Sequence, residues 1–198
     1  MENKYLANAL FYEKNGYKFR KYLDLKLDRS TKKSPDIMVI MMNPGSSEPE
    51  NGVDNNSVES LAKQDSTQHQ IKQVLLNLGF EFARILNLSD LREPKSYIFY
   101  SKIKELELNG ICHSIFDLER VEEFEELFVR NVPVILAWGV NKKLRKLAEN
   151  AISRINDDKT YGISKKGDNY AYYHPLPPNQ ESQRKWVKDI IDLMRENS

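Results

Sequence analysis

The strongest constraint on the fold is an unbroken apolar run, IMVIMM at residues 37–42, which passes directly into the small polar turn NPGSS at residues 43–47. A run of this length without polar alternation is typical of a strand buried on both faces, as in a parallel sheet covered by helices. The turn then lies at the carboxyl edge of the sheet. Because open α/β sheets bind their ligands at this edge, the turn is a candidate site.

Short apolar runs and helical periodicities alternate along the rest of the chain. Further strands are indicated at residues 82–88, 132–139, 161–164 and 169–175. Apolar residues at helical spacing predict five helices, at residues 66–78, 96–109, 118–129, 141–155 and 181–196. This alternation predicts an α/β fold in one domain over residues 1–198, with three α/β/α layers and a mainly parallel four-stranded sheet.

The amino-terminal segment FYEKNGYKFRKYLDLKL carries Asn15-Gly16 between partly alternating stretches. This dipeptide supplies the two left-handed residues of a tight turn, so we predict an amino-terminal β-hairpin. A polar stretch without firm periodicity, residues 48–66, borders the candidate site. Structureless segments of this length are usually lids or disordered, and the sequence leaves both readings open.

The overall charge gives no pull toward a polyanion. Thirty basic and 29 acidic residues leave a formal net charge of +1, so a nucleic-acid backbone would have to be held by a local patch. The candidates for such backbone contacts are Lys142, Lys143, Arg184 and Lys185. The alternative for these residues is a set of ordinary solvated helix faces.

Cysteine and histidine usage argues against metal and disulfide chemistry. Cys112 is the only cysteine, and the histidines His69, His113 and His174 lack the spacing of a ligand set. We expect no metal and no cofactor. The sequence carries neither a signal-peptide pattern nor an apolar run of bilayer length, so we expect a cytoplasmic protein without a membrane partner.

Polar side chains stand at the ends of three predicted strands. Asn43 follows the first, Asn87 ends the second, and His174 ends the last. If these strands are parallel, the three side chains meet at one edge of the sheet. Each also has a structural reading, since Asn-Pro-Gly is common turn chemistry and a lone asparagine or histidine can simply anchor a loop.

In chain order these segments resemble known families. Residues 41–45 (MMNPG), 85–87 (ILN) and 174–177 (HPLP) are similar to the three short motifs of the uracil-DNA glycosylase superfamily. A longer resemblance includes residues 65–68 (DSTQ) and 87–93 (NLSDLRE). These are similar to a bacterial and phage family known only as domain of unknown function 1643.

The glycosylase resemblance implies roles for individual residues. His174 would donate to the departing base and stabilise its negative charge, and Asn43 would orient the attacking water, so these two are the catalytic candidates. A target nucleotide would be flipped out of the DNA into the pocket. The substrate-binding candidates are Pro44, Gly45, Ser46 and Asn87, with Asn87 reading the base edge through its amide. Leu176 is a further substrate-binding candidate. It stands where the superfamily has serine, and it either wedges into a DNA step or packs in the core.

Three functions remain open at this level. The first is a metal-independent DNA glycosylase acting on a modified or mismatched base, a hydrolase of DNA repair. The second is a binding module of the same fold, without catalysis, for nucleic acid or a nucleotide in a phage or mobile element. The third is a hydrolase or transferase of free nucleosides. The expected partner is therefore DNA, single-stranded or damaged, or a nucleotide.

Overall fold

The amino-terminal residues form a long hairpin that belongs to the main sheet. In the computed structural model, which describes residues 4–155 and 159–196, β1 (Tyr5–Lys14) and β2 (Tyr17–Leu27) pair antiparallel. Asn15 and Gly16 have φ angles of 54° and 76°, the left-handed conformation that both central residues of a type I′ turn require. The predicted hairpin is confirmed.

The sheet has seven strands in the described residues. Those that follow the hairpin are β3 (Ile37–Met41), β4 (Ser60–Leu61), β5 (Phe82–Asn87), β6 (Val134–Leu136) and β7 (Thr160–Tyr161). The strand order is β4-β1-β2-β5-β3-β6-β7. The pairings β4/β1, β1/β2 and β2/β5 are antiparallel, whereas β5/β3, β3/β6 and β6/β7 are parallel.

The predicted fold class, with a mainly parallel four-stranded sheet, is therefore wrong. The sheet is mixed because the amino-terminal hairpin pairs antiparallel with β5 through its second strand, β2. A solitary hairpin would leave the buried apolar side chains of β2 in water. The predicted strand at residues 169–175 is also wrong. Only Tyr172 in that segment forms bridges, to Gly139 and Ser164, and the segment adds no strand to the sheet.

Five α-helices lie in the described part of the chain. They are α1 (Ser66–Leu78), α2 (Ser96–Leu108), α3 (Val121–Leu127), α4 (Arg145–Ile155) and α5 (Gln180–Glu196). The side chain of Asp65 caps α1 by accepting the Gln68 N–H at 2.8 Å, and Gly79 ends that helix at φ 74°. Helices α3 and α4 are shorter than predicted because each follows a 3₁₀ turn, Leu118–Arg120 and Lys142–Leu144 respectively. No helix of the described residues is long and apolar enough to cross a bilayer.

The central strand β3 is buried on both faces, as its sequence predicts. Its five residues are all buried, and their side chains alternate between two apolar clusters. Ile37 and Val39 pack with residues of α1 and α5, whereas Met38 and Ile40 pack with residues of α2, α3 and α4. Helices therefore cover both faces of the strand that leads to the NPGSS turn.

A bulge in β2 changes which side chains face α1 and α5. Leu10 pairs with Tyr22, but the next residue, Phe11, pairs with Arg20, so Lys21 has no partner on β1. Directly paired residues share a face, and Phe11 belongs to the cluster packed against α1 and α5. The bulge thus turns Arg20 into the protein interior, where it is 3% exposed.

The segment leading to His174 packs closely on Gly162. An added Cβ at Gly162 would lie 2.6 Å from Tyr172 Cδ1 and 2.7 Å from the carbonyl oxygen of Leu136. We expect Gly162→Ala to lower the free energy of unfolding by about 3 kcal/mol, because the carbonyl cannot rotate away. Urea unfolding measures this loss.

Gly110→Ala is the control for that substitution. Gly110 has φ +64° and nothing within 4 Å of an added Cβ, so only backbone strain of about 1 kcal/mol is expected. A Gly162→Ala variant no less stable than Gly110→Ala would contradict the close packing.

Candidate functional site

A cavity of about 370 Å³ lies at the carboxyl end of β3. Its walls come from the NPGSS turn, the amino-terminal end of α1 and the segment after Tyr173. The structure brings together six of the predicted site residues here, namely Asn43, Pro44, Gly45, Ser46, His174 and Leu176. The carboxyl edge of the sheet is thus a concave site, as expected for a ligand-binding edge.

Asn43 joins the loops that follow two neighbouring parallel strands. Its Nδ2 donates to the carbonyl oxygens of Leu91 at 3.1 Å and Glu93 at 2.8 Å, and the residue is 9% exposed. Both amide protons are therefore used to hold the segment after β5. Within the described chain no donor bonds to Oδ1, so Asn43 offers a ligand or a water an acceptor only.

His174 is held as a neutral imidazole with one defined tautomer. Its Nδ1 accepts the backbone N–H of Leu176 at 3.1 Å, which places the ring proton on Nε2. Burial lowers the pKa of His174 from 6.5 to about 4, against the opposing effect of the Asp65 charge. At neutral pH the ring is thus an uncharged hydrogen-bond donor in the cavity wall.

Asn87 lies beside the cavity but does not line it. Its Cα is paired with that of Met41, which does line the cavity, and its side chain is completely buried. Neither Oδ1 nor Nδ2 has a hydrogen-bond partner among the described residues. An orphaned amide is expensive, because both atoms lose their water without replacement. Its role in reading a base stays a prediction.

Two further polar residues of the cavity belong to the start of α1. Asp65 accepts from the backbone N–H of Gln68 at 2.8 Å and from its Nε2 at 3.3 Å, which fixes the carboxylate at the helix end. Gln68 is buried and its Oε1 has no partner in the described residues. The capping signal at Asp65 was visible in the sequence, but nothing there placed the start of this helix against the NPGSS turn.

Arg20 is the residue that the sequence did not indicate. It lines the cavity, and its side chain forms no hydrogen bond or ion pair with any described residue. Burial lowers the pKa of Arg20 to about 10, while the charges of Asp65 and Asp90 oppose that shift. The guanidinium therefore remains protonated at neutral pH. Regular alternation along β2 would have pointed Lys21, not Arg20, toward this face, and only the bulge reverses this.

The segment after β5 is anchored by a buried ionic cluster. Asp90 Oδ2 accepts from Arg120 Nη1 at 2.7 Å and from the Tyr12 hydroxyl at 3.0 Å. Burial nevertheless raises the pKa of Asp90 to about 6. The cluster ties the hairpin, residues 87–93 and the turn before α3 together, so the Asp90 carboxylate has a structural place outside the cavity.

The four basic residues predicted to contact a nucleic-acid backbone do not line the cavity. Lys142 and Lys143 form the 3₁₀ turn before α4, and Lys143 Nζ lies 5.1 Å from the centre of the Tyr100 ring. Arg184 and Lys185 are on α5, which packs against the other face of the sheet. Their role in backbone binding stays a prediction, and they do not form a single patch.

A larger recess of about 540 Å³ lies between the end of α2 and α4. It is lined in part by Cys112 and His113. Burial and the Asp117 carboxylate raise the pKa of the Cys112 thiol to about 11, and His113 Nδ1 is bonded to Ser89 Oγ at 2.9 Å. A protonated thiol and an engaged imidazole give this recess no nucleophile at neutral pH.

The family model for proteins of unknown function named DUF1643 matches residues 25–176. The chain belongs to this family. No curated protein and no solved structure matches it, and the glycosylase resemblance rests on its three short motifs alone. Within this DUF1643 chain the matched range includes Asn43, Asn87 and His174, whereas Arg20 lies before it.

The lowered pKa of His174 predicts a pH dependence of stability. The unfolded chain binds a proton at His174 near pH 6.5 and the folded chain only near pH 4. The contribution of His174 is therefore complete above about pH 6.5 and is lost as the pH falls toward about 4. We expect the stability difference between wild type and His174→Gln, measured in urea, to decrease over this window. A difference that is constant from pH 4 to pH 7 would contradict the lowered pKa.

The two bonds from Asn43 predict a stability cost for its removal. Asn43→Ala leaves the Leu91 and Glu93 carbonyl oxygens without their donor, and we expect a loss of about 2 kcal/mol in urea unfolding. Asn141→Ala, which removes a single exposed capping bond to Lys143 N, is the control and should cost about 1 kcal/mol or less. Equal losses in the two variants would show that Asn43 does not hold the loops together.

Proposed function

We propose that the cavity accepts a flipped, modified or mismatched base of DNA and that the protein hydrolyses its N-glycosidic bond. The observation that carries this proposal is the state of His174. A neutral imidazole with its proton on Nε2 lines the same cavity as the acceptor Oδ1 of Asn43. This combination of one uncharged donor and one acceptor suits hydrolysis of an N-glycosidic bond. The departing base gains negative charge, and water attacks the sugar carbon to which the base was attached.

His174 stabilises the departing base. When the bond between the sugar carbon and the base nitrogen breaks, its electron pair moves onto the base, and negative charge spreads to the base oxygens. A donor that is already in place lowers the energy of this state without transferring its proton. The Leu176 N–H keeps the proton on Nε2, and burial keeps the ring neutral, so both features of His174 serve this role.

Asn43 orients the attacking water. An amide oxygen accepts a hydrogen bond but is too weak a base to remove a proton at neutral pH. The water oxygen forms the new bond to the sugar carbon, and its released proton neutralises the base anion. The reaction therefore depends on departure of the base more than on activation of the water, and we expect slow turnover on a base that is a good leaving group.

Asn87 supplies base selection in this proposal. Its orphaned amide offers one donor and one acceptor, the complement of the N3–H and O4 of a pyrimidine. Because Asn87 is fully buried and does not line the cavity, the wall must shift to admit the base edge. Binding of the base would then give hydrogen-bond partners to Asn87 Oδ1 and Nδ2, which have none in the described chain.

The test is base release from a panel of labelled oligonucleotides, in single strands and duplexes, containing uracil, mismatches or modified pyrimidines. Alkaline cleavage reveals each abasic site. We expect strand breaks for at least one base, with the rate lowered about 100-fold or more in His174→Ala. His69→Ala, an exposed histidine on α1, should retain the wild-type rate. A panel that remains uncut by folded protein contradicts hydrolysis.

A second candidate is a binding module that senses a base or nucleotide without cleaving it. The observation that favours it is the structural use of Asn43, whose amide protons hold Leu91 and Glu93. Folded Asn43→Ala separates the two functions. An enzyme should lose turnover while binding is largely kept, whereas a sensor should show no turnover in wild type and should lose affinity in the variant.

A further inference from the structure

We propose that Arg20 forms an anion subsite in the cavity and binds a phosphate group of the ligand. The inference rests on the proposed function and deepens it. The cavity is proposed to hold the base of a ligand, and Arg20 adds a site for the negative charge of the same ligand. Its starting point is a guanidinium that is 3% exposed, lines the cavity and has neither a hydrogen bond nor an ion pair with any described residue.

Two carboxylates act on Arg20, but neither is bonded to it. Asp65 accepts the backbone and side-chain N–H groups of Gln68. Asp90 Oδ2 accepts from Arg120 and Tyr12, while its Oδ1 is buried without a hydrogen-bond partner in the described residues. Both carboxylates act on Arg20 through space only, and neither forms an ion pair with it. The cation in the cavity wall thus lacks a counter-ion, although two carboxylates are close enough to affect it.

An unpaired buried cation is costly to the fold. Removing a guanidinium from water costs several kcal/mol unless an anion and hydrogen bonds replace the water. The bulge at Lys21 turns the Arg20 side chain toward the cavity, since a regular β2 would point Arg20 away from α1 and α5. A bound anion would repay it, because the planar fork of a guanidinium fits two oxygens of a phosphate or carboxylate at once.

The other unpaired atoms indicate what kind of molecule carries the anion. Gln68 Oε1 is buried without a partner in the described residues and requires a donor. His174 Nε2–H requires an acceptor. A ligand with a phosphate, a hydroxyl or N–H donor and a carbonyl oxygen satisfies all three, and a nucleotide has these groups. The volume of about 370 Å³ is at the lower end for ligand pockets, so it suits one nucleotide unit.

The first experiment measures the thermal stability of the protein without added ligand. In phosphate-free buffer we expect Arg20→Met to unfold at a temperature several degrees higher than wild type, since the variant removes an unpaired charge and keeps the apolar stem. Lys21→Met is the matched control from the same strand. Lys21 pairs with Glu123 at 2.9 Å on a partly exposed surface, so its loss should change the melting temperature little. A lower melting temperature for Arg20→Met would mean that Arg20 is structural and would overturn the inference.

The second experiment compares ligands by calorimetric titration of wild type, Arg20→Met, Arg20→Lys and Lys21→Met. The probes are inorganic phosphate, pyrimidine and purine deoxynucleosides, their 5′-monophosphates and a short single-stranded oligonucleotide. For wild type and Lys21→Met we expect monophosphates to bind at least about 10-fold more tightly than nucleosides, a difference of about 1.4 kcal/mol. The ratio should fall to about one in Arg20→Met and lie between in Arg20→Lys, which lacks the fork.

The outcomes separate this inference from the proposed function. Arg20-dependent binding of the oligonucleotide but not of monophosphates would support the subsite and assign it to a phosphate of a DNA strand. Arg20-dependent binding that is the same for inorganic phosphate and every nucleotide would support the subsite and contradict base recognition. Nucleosides that bind as tightly as monophosphates, in wild type and Arg20→Met alike, would support base recognition and overturn the subsite. Absence of binding by every phosphate probe would also overturn it.

Discussion

The site depends on one amide. Asn43 extends from the loop after β3 to the carbonyl oxygens of Leu91 and Glu93, in the segment after β5. These two strands are parallel neighbours, so their carboxyl ends already lie side by side. The bonds from Asn43 convert this proximity into a fixed wall, against which the start of α1 and His174 complete the cavity. The residue proposed to orient the attacking water is thus also the one that joins the loops after β3 and β5.

Unsatisfied polar groups are concentrated around this wall. Arg20, Gln68 and Asn87 are all buried and each has at least one atom without a partner in the described chain. Folded proteins pair such groups almost everywhere, and exceptions gather at sites where function opposes stability. Asp90, three residues after Asn87, adds a further unpaired atom, because Oδ2 accepts from Arg120 and Tyr12 whereas Oδ1 has no partner in the described residues. The wall is not unpaired throughout, since the amide protons of Asn43 and the carboxylate of Asp65 are hydrogen-bonded, so the unpaired atoms are confined to particular residues.

The local elements of the fold could be predicted from the sequence. The doubly buried strand β3, the Asn15-Gly16 turn and the helix starting after Asp65 follow from residue types over short windows. The arrangement of the whole sheet could not be predicted. The antiparallel pairing of β2 with β5 joins residues about 60 positions apart in the chain, and no short stretch of sequence indicates it. Residues 169–175 have the composition of a strand, but only Tyr172 forms bridges there.

The site, like the fold, could be predicted only where short sequence segments carry the signal. Its turn, its histidine and Leu176 stand at the ends of apolar segments, so sheet geometry could bring them together. Asn87 was placed on the right strand, but the sequence could not show that its side chain would be fully buried beside the cavity and not in its wall. Arg20 was out of reach, because a single skipped residue at Lys21 reverses the faces of β2 and no residue type there requires a bulge.

The two donors of the cavity differ in a way that bears on catalysis. Arg20 carries its charge at all times, so it favours an anion that is present before any reaction. His174 is neutral and favours charge only where it develops, since an uncharged donor gains most from a neighbour that becomes more negative. A module that only senses a nucleotide would use both donors to hold it, since His174 Nε2–H also suits a carbonyl oxygen of a bound base. The proposed hydrolysis would divide them between two stages, with Arg20 holding the bound ligand and His174 stabilising the charge that develops on the departing base.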